Sequence, residues 1–116
     1  MPNYSVHQPG VKKARALIDS GDYDDSTEWS DAAPSTDAEN ALIDKDGYEG
    51  YGEWHLAVDD DASDETKGRY RFPYGDFSKV SRAGLIHAKQ RAAQNDHDQI
   101  EKAADDLLQR LDDERG

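Results

Sequence analysis

Ile100, Ala103, Ala104, Leu107, Leu108 and Leu111 recur at spacings of three and four, separated by acids, amides and bases. That period lays one apolar stripe along a helix, and it predicts a helix over residues 97–112. Asp96, with Gln99 three residues on, has the form of a capping box in which the carboxylate accepts from a free backbone N–H of the first turn. A second helix is predicted over 79–94, where Val80, Ala83, Leu85, Ile86, Ala88, Ala92 and Ala93 follow Ser78 as a cap with no proline to interrupt them. Asn95 and Asp96 leave length only for a tight connection, so the two should form an antiparallel helical hairpin.

Upstream the period changes. Trp54, Leu56 and Val58 alternate with Glu53, His55 and Ala57, as in a short half-buried strand. Arg69-Tyr70-Arg71-Phe72 repeats the alternation and stops at Pro73, which has no N–H to give to a ladder. The acidic connection from Asp59 to Gly68 is too long for a tight hairpin turn. Near the N-terminus Val11, Ala14, Leu17 and Ile18 fall at helical spacing behind Pro9-Gly10, with Gly21 as a stop signal, which predicts a short helix. Thr36 with Glu39 makes another capping box ahead of Ala41, Leu42 and Ile43, enough for a helical turn or two. The expected fold class is therefore α+β: a C-terminal antiparallel helical hairpin packed on one or two short strands, with a short N-terminal helix docked alongside. Residues 1–21 form the N-terminal helix segment, 22–50 an acidic, partly mobile segment, and 51–116 the folded core of what is a single domain overall. The face from Ile100 to Leu111 needs a partner surface, for which Trp54, Leu56, Tyr70, Phe72, Val80 and Leu85 are the candidates.

Composition adds a constraint. Of 116 residues only 34% are hydrophobic and the net charge is −12, which sets the chain near the boundary between globular and disordered classes. Charge is strongly segregated: residues 19–66 hold 17 of the 26 acids and one base, Lys45, whereas residues 67–95 hold seven bases against Asp76 alone. The absence of cysteine excludes disulfides, thiolate nucleophiles and cysteine-ligated metals. No apolar run approaches the roughly 20 residues a bilayer requires, and the N-terminus lacks the layout of a signal peptide. The expectation is a soluble protein, cytoplasmic or virion-associated, with no membrane partner. Because Asp supplies 19 of the 26 acids, halophilic adaptation competes with function as the source of the charge, although seven lysines are many for an extreme case.

Candidate chemistry is sparse. Asp44-Lys45-Asp46-Gly47 puts its glycine at the fourth position of a calcium loop where the sixth is needed, and the run from Asp59 has Asp64 at the sixth and Tyr70 at the twelfth. His7, His55, His87 and His97 do not cluster at metal-ligand spacing; His55 and His87 read as packed or surface histidines and His97 as solvent-facing. There is no nucleophile elbow, and Gly47, Gly50 and Gly52 match no phosphate loop. Neither enzymatic activity nor a cofactor is expected. The basic block is more suggestive, because it interleaves cations with rings in a way that suits a nucleic-acid backbone or a protein partner. Arg69, Arg71, Tyr74, Lys79 and Arg82 are the candidate contacts. The competing reading is that the chain's own acids neutralise these cations and that some of the rings are core. The acidic block supports a different idea, carboxylates displayed as phosphate mimics towards a basic protein.

Three segments together resemble small conserved proteins and domains of tailed phages and prophages from the head-assembly, prohead-protease neighbourhood. They are Val11-Lys12-Lys13-Ala14-Arg15-Ala16-Leu17-Ile18-Asp19-Ser20-Gly21, then Tyr51-Gly52-Glu53-Trp54-His55-Leu56-Ala57-Val58-Asp59, and Arg69-Tyr70-Arg71-Phe72-Pro73-Tyr74-Gly75 leading into Val80-Ser81-Arg82-Ala83-Gly84-Leu85. The resemblance spans residues 11–21 and 51–112, omits the acidic middle, and has Gly84 where a bulky helix former is expected. It implies a non-enzymatic phage or prophage protein with a structural or assembly role and a phage or host protein as partner. Two readings stand beside it: an acidic inhibitor or DNA mimic binding a basic host protein, and a nucleic-acid-binding module using residues 67–95.

Overall fold

The apolar stripe forms α5 (Asp98–Glu114), which buries Ile100, Ala104, Leu107 and Leu111. It packs along α4 (Arg82–Gln94), which turns Leu85, Ala88 and Ala92 inward. This is seen in a computed structural model that describes residues 4–116. Arg82 at the start of α4 meets Asp112 near the end of α5 at 2.8 Å, and Lys89 meets Asp105 at 2.8 Å, as an antiparallel hairpin requires. Each fully buried Leu or Ile of the seam contributes roughly 1.5–3 kcal/mol.

The predicted caps are displaced. Asp96 adopts φ 60° in the connection, where its N–H reaches the Ala93 carbonyl, and His97 becomes the residue flanking α5. A residue held in the left-handed region to reverse the chain is not in the extended conformation of an N-cap, so the Asp96–Gln99 capping box does not form. Ser78 likewise does not cap α4; it sits in a turn in which Asp76 Oδ1 accepts from the Ser78 and Lys79 N–H groups. Ser81 is the cap, its Oγ accepting from Gly84 N–H at 3.0 Å. Val80 and Ser81 form the short strand β5 rather than the first turn of the helix.

The two predicted strands are β3 (His55–Asp59) and β4 (Tyr70–Pro73), paired antiparallel with His55 opposite Pro73 and Ala57 opposite Arg71. The long connection between them is ordered by Arg69, whose guanidinium donates to the Ala62 carbonyl at 2.8 Å and pairs with Asp64. The sequence pattern does not signal β1 (Tyr4–Val6), which adds to the other edge of β3. With β1 and β4 on its two sides β3 is central, and His55 and Ala57 are as buried as Trp54, Leu56 and Val58, so it is not the half-buried strand expected. The N-terminal helix is α1 (Gln8–Asp19), with Pro9 in its first turn and Val11, Ala14 and Ile18 in the core. Arg110 of α5 clasps it by a two-pronged pair to Asp19 at 2.7 and 2.8 Å.

The acidic middle is helical. After β2 (Tyr23–Asp24), which runs parallel to β5, come α2 (Trp29–Ala32) and α3 (Thr36–Gly52), the latter kinked at Gly47. Ser35, one residue before the expected Thr36, is the cap of α3, accepting from Ala38 N–H. α3 runs through the expected boundary at residues 50 and 51 because Tyr51 and Gly52 are its buried end, packed on the sheet. α2 is tied down by Trp29, whose ring lies over Gly84 of α4, so closely that a Cβ there would stand 2.7 Å from the indole. The bulky helix former missing at position 84 is thus replaced, in space, by Trp29. Among the described residues no helix is long and apolar enough to cross a membrane.

Candidate functional site

The alternating cations and rings predicted as a contact surface do not stay together. Tyr74 is a core residue with 0% exposure, its ring stacked on Trp54 at 5.5 Å and its hydroxyl donating to the Glu53 carbonyl at 2.8 Å. Burial, and then the nearby Glu53 carboxylate, hold that phenol well above its usual range, so it is a fixed donor inside the fold rather than a contact. Arg82 is held two-pronged by Asp112, and Arg69 is spent on ordering the β3–β4 connection. Lys79 lies exposed in the turn before β5. Of the five candidates only Arg71 lines the recess bounded by β4 and α4.

That recess is a cleft of about 870 Å³ between β4 and the C-terminal half of α4. Two clusters of rings line it. In the first, Tyr51, His55 and Tyr70 stand 4.6 to 6.0 Å apart, and in the second Tyr4, Phe72 and His97 stand 5.0 to 6.2 Å apart. Phe72 adopts φ 61° within β4, a conformation that is rare and costly for a bulky side chain, on the order of 1–3 kcal/mol. α4 contributes His87, Ala88 and Arg91 to the opposite wall, and Asn95, which follows its last residue, adds to it.

The charges of the cleft are arranged in two ways. Glu39 is its single lining carboxylate and is already engaged, accepting from the Tyr51 hydroxyl and from Lys67 Nζ, each at 3.3 Å. Burial, followed by that carboxylate, keeps Tyr51 protonated far above its usual range. His55 is 3% exposed, and burial pushes its pKa down to about 4. It is neutral, with the proton on Nδ1, which donates to the Tyr51 carbonyl at 3.0 Å. Its other nitrogen, Nε2, is therefore a lone-pair acceptor. Arg71 lies with its guanidinium 5.7 Å over the Tyr4 ring and donates through Nε to the Gly68 carbonyl. Arg71 and Arg91, like Arg15 outside the cleft, have no carboxylate within ion-pair distance among the described residues, whereas Arg69, Arg82, Arg110 and Arg115 all do.

The sequence pattern marks Arg71 as a contact and places Tyr70 and Phe72 among the candidates for the core, but it does not bring in Tyr4, Tyr51, His87, Arg91 and His97 as members of one site. Those come from four separate segments and carry no local spacing that announces a common destination. Among the described residues no group of three or more His, Asp or Glu is placed to hold a metal ion. Comparison of the chain with protein-family models, with curated proteins and with solved structures finds no match.

Proposed function

We propose that this chain is a non-enzymatic interaction protein that engages a protein partner through the cleft between β4 and α4, in the structural or assembly role that the resemblance to phage head-assembly proteins implies. The observation that carries the reading is the pair Arg71 and Arg91. In a chain with 26 acids and 14 bases, two guanidiniums without carboxylate partners among the described residues line the same ring-walled recess. Arginine and exposed aromatic groups are the residue types that anchor protein interfaces, and the polar surroundings of the recess resemble a rim. The experiment is co-expression with the proteins encoded beside this chain, followed by co-purification of wild type and of Arg71→Glu. Recovery of a stoichiometric complex that the charge reversal abolishes is the expected result. A complex indifferent to that change, or a gene lying outside any viral or prophage neighbourhood, counts against the reading.

One observation favours the mimic as a second reading. Asp37, Asp44, Asp46 and Glu49 are exposed on an ordered helix, α3, and a phosphate mimic needs carboxylates held in place. Reversing Asp44, Asp46 and Glu49 to Lys abolishes capture of a basic host protein if the mimic is the function, and leaves the Arg71-dependent complex intact if it is not.

A further inference from the structure

From the cleft we infer the chemistry of the segment it receives: an acidic stretch of a partner protein that inserts one planar side chain between the two ring clusters and sets carboxylates on Arg71 and Arg91. The inference rests on the reading of the cleft as a protein-binding site and adds what that site selects.

Three features of the walls lead to it. The first is charge. Glu39 is committed to Tyr51 and Lys67, so no lining carboxylate is left to neutralise the two guanidiniums. Arg71 uses Nε on the Gly68 carbonyl, and its terminal nitrogens meet no acceptor among the described residues, which leaves the planar edge suited to a carboxylate. The second is shape. Tyr4, Tyr70, Phe72 and His97 are only half-buried, so they retain surface that an inserted ring can cover, edge to face or offset. A cleft of about 870 Å³ takes a few residues and no more. The third is the left-handed backbone at Phe72, whose ring forms part of the wall against Tyr4 and His97. Outliers of this kind collect at ligand clamps, where surrounding structure holds them in place.

Charge also separates a peptide from a nucleic acid. A phosphodiester chain carries a negative charge at every step and, on leaving the cleft, would cross the surface of a protein of net charge −12. A peptide can confine its acids to the few positions within reach of Arg71 and Arg91.

The test is a titration of the isotope-labelled full chain, at low salt, with a capped Asp-Tyr-Asp-Asp peptide. Its Asn-Tyr-Asn-Asn and Asp-Ala-Asp-Asp relatives and adenosine monophosphate are the comparison arms. Amide shifts confined to Tyr4, to Tyr70, Arg71 and Phe72 of β4, to the C-terminal half of α4 around Arg91 and to His97 are expected for the acidic aromatic peptide. Loss of its carboxylates or Arg71→Gln with Arg91→Gln weakens binding about tenfold or more by removing charge-assisted hydrogen bonds, and loss of its ring does so by about as much through lost aromatic burial. Both arginines are exposed, so the double variant keeps its fold, which an unchanged amide spectrum away from the cleft verifies. Equal affinity for the neutral peptide, shifts lying elsewhere, no shifts at millimolar peptide, or preference for the mononucleotide overturns the inference. If a co-purified complex depends on Arg71 and these peptides fail to bind, the interaction reading survives and only the acidic-aromatic specificity falls.

Discussion

His55 is the residue whose chemistry the fold alters most. In the unfolded chain it titrates near its ordinary value of about 6.5, whereas in the fold burial holds it neutral down to about 4. Over that window the unfolded state binds a proton that the native state refuses, so stability is full above it and is lost as pH falls through it, by roughly 3 kcal/mol in all. His7, lowered by burial and then by Arg69, acts in the same direction. Asp19, Asp24, Asp76, Asp105 and Asp112 are held below their usual range, and their stabilising charge is lost only at lower pH still. Urea midpoints should therefore fall between about pH 7 and about pH 4.5, and His55→Gln should flatten most of that slope. A slope unchanged in the variant would place the titrating group elsewhere.

Elements are joined by a few contacts with separable consequences. α2 is held to α4 by one ring over one glycine, so Gly84→Ala forces Trp29 off its seat and costs about 1–3 kcal/mol in thermal or urea unfolding. The displacement should appear as a change in tryptophan emission, since Trp29 and Trp54 are the two indoles of the chain. Truncation in the hairpin seam acts on the whole molecule instead. Leu107 is 2% exposed between α4, α1 and the sheet, and Leu107→Ala should cost about 2–5 kcal/mol with the loss spread over all probes. A Gly84→Ala variant with unshifted Trp emission would separate α2 from the core.

At the scale of the whole molecule the net charge of −12 opposes compaction, and the ion pairs that bridge elements offset this only where a base meets an acid. The acids of α3 and of the Asp59–Glu65 loop mostly face solvent, with two pairs among them, Lys67 with Glu39 and Arg69 with Asp64. Screening should relieve the repulsion more than it weakens those pairs. The melting temperature is thus expected to rise from about 0.05 M to about 0.5 M salt, where the Debye length shortens to a few ångströms. A fall over that range would mean that the bridging pairs dominate. The same salt should weaken acidic-peptide binding at Arg71 and Arg91, so stability and binding move in opposite directions.

What the chain order determined by itself is whatever depends on local period and local stereochemistry. The stripe from Ile100 to Leu111 and the helix from Val11 to Ile18 appear where the pattern places them, and strands form at His55–Asp59 and Tyr70–Pro73, although β3 is buried on both faces instead of alternating. The caps moved by one to three residues because several neighbouring polar side chains compete for each helix start, and backbone direction chooses among them. Ser81 and Ser35 were chosen over Ser78 and Thr36. Only the tertiary structure decided that Tyr74 is core, that Arg82 is spent on Asp112, and that Arg71 and Arg91 face one recess. Burial and pairing are set by which distant segments meet, and twenty residues of sequence separate those two arginines while one cleft wall joins them to Tyr4 and His97.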